Sequence, residues 1–143
     1  MVCMHQEKEA LRWIALKIAF LIFAIFALQN IFPELTDILS LKKDFWPQPW
    51  TALTYIFLHG SFTHVFSNAF SLFIFGSMLE NIIGYRNFLI VFFITGVLSG
   101  VLGVLFYDSV IGASGSVFGI MGVLGLLRPK VVVWALASRC TWL

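Results

Sequence analysis

Charge is what this sequence has least of. Asp, Glu, Lys and Arg make up 11% of its 143 residues, against about 25% in an ordinary soluble domain. The formal net charge of +2 offers no basic surface for nucleic acid, so no nucleic-acid partner is expected. Cysteine is scarce as well. Cys3 and Cys140 make neither a disulfide framework nor a Cys-rich metal motif. The three histidines, His5, His59 and His64, have no metal-ligand spacing, and there is no glycine-rich phosphate loop. No metal and no cofactor are therefore expected. The alternation of apolar and polar residues that marks a membrane β-strand is also missing.

Apolar residues fill the space that charge leaves. They account for 60% of the chain, 16 residues are Phe, and mean hydropathy is +0.96. A domain of roughly 150 residues still leaves about 30% of its chain surface in water, too much for this composition. A bilayer is the solvent that fits. Four apolar stretches predict transmembrane helices over 14–32, 62–81, 88–106 and 111–127, each near the ~20 residues that a spanning helix needs. Pro33 stops the first, and Arg128-Pro129-Lys130 closes the fourth. The expected fold is thus all-α, a polytopic membrane helical bundle. Residues 1–13 form an N-terminal flank, 14–130 the membrane domain and 131–143 an aberrant tail.

The cations define the orientation. Lys8, Arg12 and Lys17, then Arg86, then Arg128, Lys130 and Arg139 all fall on one side of a four-span layout. The other side has Lys42 and Lys43, offset by Glu34, Asp37, Asp44 and Asp108. The positive-inside rule then puts both termini in the cytoplasm of a multi-pass cell-membrane protein, with lipid as its surroundings. Cys3 and Cys140 would sit in a reducing compartment. The long first loop, 33–61, carries Trp46, Trp50, Tyr55, Phe57 and Leu58. That aromatic density predicts a segment lying in the membrane interface.

Polar residues inside the spans carry the chemistry. His64, Ser67, Asn68 and Ser71 share one helical face, which is expected to point into the bundle. Ser67 and Ser71 are expected to hydrogen-bond between helices. For His64 and Asn68 the same role stands beside another: two donors at one depth can hold a developing negative charge. Small residues at Gly96, Gly100, Gly115, Gly119, Gly122 and Gly125 predict close helix packing, within the bundle or between copies, which leaves the oligomeric state open. Ser114 lies at the start of the fourth helix between Gly112 and Gly115, at the same depth and side as His64. A hydroxyl, free helix-terminal N–H groups and a His/Asn pair together suit acyl transfer.

At these residues the sequence resembles the rhomboid family of intramembrane serine proteases, over roughly 49–130. The matching pieces are His59-Gly60-Ser61-Phe62-Thr63-His64-Val65-Phe66-Ser67-Asn68, then Gly76, Glu80, Gly84, Tyr85 and Arg86, then Gly112-Ala113-Ser114-Gly115-Ser116-Val117-Phe118-Gly119. The resemblance implies a rhomboid-like bundle with a membrane-embedded first loop. It implies Ser114 as nucleophile, and His64 and Asn68 with the serine N–H as the oxyanion hole. It puts Phe118 near the catalytic histidine and gives Glu80 and Arg86 structural roles. The implied substrates are single-span transmembrane proteins, cut by peptide hydrolysis.

The sequence departs from the family at two points. Its first loop lacks the family's Trp-Arg pair, since neither Trp46 nor Trp50 precedes an Arg. The family's base is a histidine on a sixth helix. Here His5 falls on the cytoplasmic side, His59 lies in the first loop and His64 has the oxyanion role. The chain is therefore expected to be a C-terminally truncated reading frame holding helices 1–4 of a six-helix core, with no general base. Two further readings stay open: a non-catalytic rhomboid-like protein that binds transmembrane segments, and a generic packed helical membrane protein.

Overall fold

The computed structural model describes residues 13–129; the N-terminal flank to Arg12, with its basic residues and His5, and the tail from Lys130 lie outside the described residues. The first helix, α1 (Ile14–Ile31), is an apolar run about 27 Å long, interrupted by Lys17 near its start and by Gln29-Asn30 near its end. Its start has no cap of its own, because Trp13 sits in the left-handed region (φ 55) and offers no side-chain acceptor. Glu80, from another helix, supplies it: its carboxylate accepts from Ile14 N–H (3.1 Å) and Ala15 N–H (3.0 Å). A buried negative charge at a helix N-terminus is where the helix dipole favours it. This bears out a structural role for Glu80.

Pro33 ends α1 and opens α2 (Glu34–Leu39). The rest of the first loop holds β1 (Leu41–Lys42) and α3 (Thr51–Thr54), which runs on into a 3-10 turn at Tyr55–Phe57. β1 pairs antiparallel with β2 (Ser109–Val110), Leu41 opposite Val110 and Lys42 opposite Ser109. No strand was expected, since sequence patterning cannot register a two-residue ladder set by a tertiary contact. The interfacial reading of the loop also divides. Trp46 and Trp50 are exposed, but Tyr55 and Leu58 are buried in the protein core.

The next helical run is α4 (Phe62–Ser71), a π-helical turn at Leu72–Gly76, and α5 (Ser77–Gly103). As one 42-residue rod, Phe62–Gly103 would be about 63 Å long, twice the ~30 Å hydrocarbon thickness. It is broken at Gly84, whose φ of 79 and ψ of 161 suit glycine alone. The expected connection over 82–87 is thus compressed to one residue, and the third helix ends at Gly103 instead of 106. The fourth, α6 (Ser114–Leu127), begins three residues later than expected, because Gly112 (φ 115) cannot lie in a helix. Among the described residues, two helices are long and apolar enough to cross a membrane, Ile14–Ile31 and the broken Phe62–Gly103. At 14 residues, α6 is shorter than that requirement.

The core joins Ile22 of α1, Leu72 and Leu79, Phe88 and Phe92 of α5, and Ile120 and Leu124 of α6. Phe20, Phe62, Phe66, Phe70 and Phe106 are exposed, and Phe62, Phe66 and Phe70 stack down one side of α4. So much outward phenyl surface is normal where the solvent is lipid. α5 and α6 meet along glycines. A Cβ at Gly115 would collide with Ser99, one at Gly119 with Thr95, and one at Gly96 with Ser116. Gly122 has open space beside it, so the small-residue run does not all serve packing between these helices.

Candidate active site

The site starts with a helix cap. Ser61 is extended (φ −158), and its Oγ accepts the His64 N–H. This ends the first loop and starts α4 with His64 in its first turn. Asn68 follows one turn later, buried, its Nδ2 donating to the His64 carbonyl at 2.9 Å. Ser67 points differently from the expected inward stripe. It is exposed, and its hydroxyl donates to the Thr63 carbonyl of the same helix. A hydroxyl satisfied by its own backbone can face outward, so a shared face with His64 does not force it inward.

The half-buried His64 ring lies against Gly112. A Cβ there would come within 2.7 Å of His64 Cε1 and 2.8 Å of Nε2. Only a residue without a side chain admits the ring this close, and the positive φ requires the same residue. Gly112 is followed by Ala113, which caps α6 without a side-chain bond, and then by Ser114, half-buried at the first helical position. The leading N–H groups of a helix have no partners within it and form its positive end. The Ser114 hydroxyl makes no hydrogen bond among the described residues.

The first loop grips this turn. The Tyr55 carbonyl accepts the Gly112 N–H at 2.9 Å. His59 Nε2 accepts the Ala113 N–H at 3.5 Å. His59 is 2% exposed and stands edge-on to His64, ring centroids 4.9 Å apart. Its Nδ1 lies 3.3 Å from the Phe57 carbonyl, and its backbone N–H donates to Gln29 of α1. Burial first, and the neighbouring His64 second, push its pKa down to about 4. The ring is neutral at pH 7, with the proton on Nδ1 facing Phe57 and the Nε2 lone pair facing Ala113.

Sequence reasoning underrated Tyr55, His59 and Gln29. The signals were present: His59 is in the same motif as His64, and Gln29 is a polar residue near the end of an apolar helix. Phe118, expected near a catalytic histidine, is 72% exposed and makes no ring contact among the described residues. Neither described histidine hydrogen-bonds the Ser114 hydroxyl. Among the described residues no three His, Cys, Asp or Glu side chains gather as metal ligands. A crevice of about 390 Å³ in the first loop, lined by Asp37, Lys42, Asp44 and Gln48 among others, includes none of Ser114, His64 or Asn68.

The sequence model of the family described as the Rhomboid domain matches residues 47–139. Similar proteins include YdcA of Bacillus subtilis, 37% identical over 78 residues, 52% of this chain and 39% of that protein. RHOMBOID-like protein 4 of Arabidopsis thaliana is 33% identical over 92 residues, 63% of this chain and 23% of that protein. The mitochondrial Rhomboid protein 1 of Saccharomyces cerevisiae is 27% identical over 121 residues, 78% of this chain and 35% of that protein. The chain thus spans well under half the length of these relatives.

Proposed function

This chain belongs to the rhomboid family, and from that premise we propose that it carries the nucleophile and oxyanion hole of an intramembrane serine endopeptidase. Ser114 is the nucleophile. Its Oγ adds to a peptide carbonyl of a single-span transmembrane substrate. The oxygen of that carbonyl takes the negative charge and is held by the Ser114 N–H, His64 and Asn68. The observation that carries the reading is the seating of the His64 ring on Gly112, two residues before Ser114. It brings an imidazole to the free N-terminus of α6, where preorganised donors act on charge as it develops. We also propose the multi-pass arrangement in the cell membrane with a cytoplasmic N-terminus, on the distribution of Lys and Arg.

The hydroxyl proton needs an acceptor, and neither described histidine is assigned that role. His59 Nε2 is taken by Ala113 N–H, and His64 serves the oxyanion. Among the described residues no base is in place beside Ser114, and a serine in that state is a weak nucleophile. This favours a second reading, a rhomboid-like protein that binds transmembrane segments in the same pocket without cutting them.

A fluorophosphonate probe in detergent separates the two. Under the protease reading the protein is labelled, and Ser114→Ala abolishes the label. His64→Ala lowers the labelling rate by about 10²–10³, the scale of one lost oxyanion donor. Absence of label from the unmodified chain overturns the nucleophile and leaves the binding reading.

A further inference from the structure

We infer that His59 is a positioning residue whose imidazole fixes the Gly112–Ser114 turn and backs the His64 ring. The inference rests on the proposed role of Ser114. It draws on a continuous set of contacts across three parts of the chain. Thr36 Oγ1 accepts from Gln29 Nε2 at 2.9 Å. Gln29 Oε1 accepts the His59 backbone N–H at 3.0 Å. The imidazole then reaches Phe57 through Nδ1 and Ala113 through Nε2. α1, the first loop and the N-terminus of α6 are thereby joined through one residue, its backbone N–H bonding α1 and its ring reaching Phe57 and Ala113.

Two features make the ring specific. A helix-capping position normally has a side-chain acceptor for an early amide, but Ala113 has none. His59 does not replace that acceptor; from outside the helix it accepts the N–H of the capping residue Ala113 itself, one residue before Ser114. Its edge-on contact with His64 also limits how far the His64 ring can move off Gly112. One imidazole therefore holds both the backbone that presents the hydroxyl and the ring beside it. A protonated imidazole has no lone pair for Ala113, so the contact exists only in the neutral form. Among the described residues, the titratable group against the His59 ring is His64 of α4. α1 contributes the Gln29 amide group, the first loop the Phe57 carbonyl and α6 the Ala113 N–H.

Site-resolved amide exchange by NMR, on the full chain in detergent micelles, tests this without requiring activity. His59→Phe keeps ring volume and removes the acceptor; His59→Gln keeps an acceptor near the Nε2 position. Ala113 is expected to exchange about tenfold faster in His59→Phe, the scale of one lost hydrogen bond. Gly112, bonded to Tyr55, changes little, and His59→Gln restores most of the Ala113 protection. In the unmodified chain, Ala113 protection corrected for intrinsic exchange falls as pH is lowered towards 4, while mid-helix amides of α6 hold. Unchanged Ala113 exchange in His59→Phe overturns the inference. So does an equal rise at every α6 amide in both variants, which would mark general loosening. If His59→Phe does not fold, the Gln variant and the acid series decide by the same criteria. Fluorophosphonate labelling separates the two proposals. Label lost in His59→Phe and regained in His59→Gln supports both. No label in any form, with the amide result intact, removes the nucleophile and keeps the positioning role.

Discussion

The α5–α6 seam and the turn that leads into α6 hold the same helix by opposite means. Along the seam, Gly115 and Gly119 let Ser99 and Thr95 approach α6 backbone-close, and Gly96 admits Ser116. Shape does the work there. At the turn, Tyr55 and His59 take the Gly112 and Ala113 amides, and β2 is laddered to β1. Hydrogen bonds do the work there, supplied by the first loop. Lipid removes the hydrophobic drive between helices, so packing and polar contacts are what remain. The molecule uses packing along the seam, and polar contacts at the turn that precedes the Ser114 hydroxyl and the free amides of α6.

Breaking the seam should have the largest effect. Gly119→Val puts a branched side chain into Thr95, and overpacking of this kind costs up to about 3 kcal/mol. Chemical unfolding in mixed micelles should show that loss. Gly122→Ala is the control. Open space surrounds that position, so its stability should stay within about 0.5 kcal/mol. Equal losses at the two glycines would mean the seam is not what holds α6.

Gly112→Ala attacks the turn. A side chain at φ 115 is strained, at about 1–3 kcal/mol, and its Cβ would press on His64. Stability should fall less than for Gly119→Val, yet probe labelling of Ser114 should fall more. If labelling follows stability in both variants, the two regions do not differ in the way described.

The seam was far more legible in the sequence than the turn. Gly96, Gly115 and Gly119 lie in glycine repeats at helical spacing, and a periodic pattern reports itself, although Gly100 of the same pattern faces Tyr55 instead of the seam. His64, Asn68 and Ser114 were legible through spacing and helix position. Helix ends were less so: Gly84 and Gly112 set them by backbone conformation, and composition alone does not reveal a positive φ. His59 and Tyr55 escaped for another reason. Their partners are backbone groups about 55 residues away, and no local pattern encodes such a pairing. The Glu80 contact with Ile14 and Ala15 escaped likewise. The resemblance indicated a structural position, but the orphan amides it serves belong to a different helix.

Glu80→Gln probes a third terminus, held by charge instead of shape or a neutral acceptor. The carboxylate accepts two amides; a carboxamide keeps one acceptor and turns an NH₂ towards the other. A loss of about 1.5 kcal/mol is expected, the low end for hydrogen bonds to a charged group. The loss should appear as faster amide exchange at Ile14 and Ala15, with Ala113 unaffected. Coupled loosening at Ala113 would show that the two ends of the bundle act as one unit.

The smallest effect separates the turn from the seam by pH. His59 stays neutral in the fold down to about 4, while an unfolded chain takes up that proton near 6.5. Between those values the unfolded state binds more protons, so acid favours unfolding. The stability from neutral His59 is complete only well above about pH 6.5, begins to fall as pH approaches that value, and is lost progressively towards pH 4. From pH 7 to pH 6 the loss is about 0.7 kcal/mol by linkage, measured as the unfolding midpoint at each pH. His59→Gln should flatten this slope, because it keeps an acceptor and removes the titration. Gly119→Val should leave the slope unchanged, since a seam held by shape has no proton to gain.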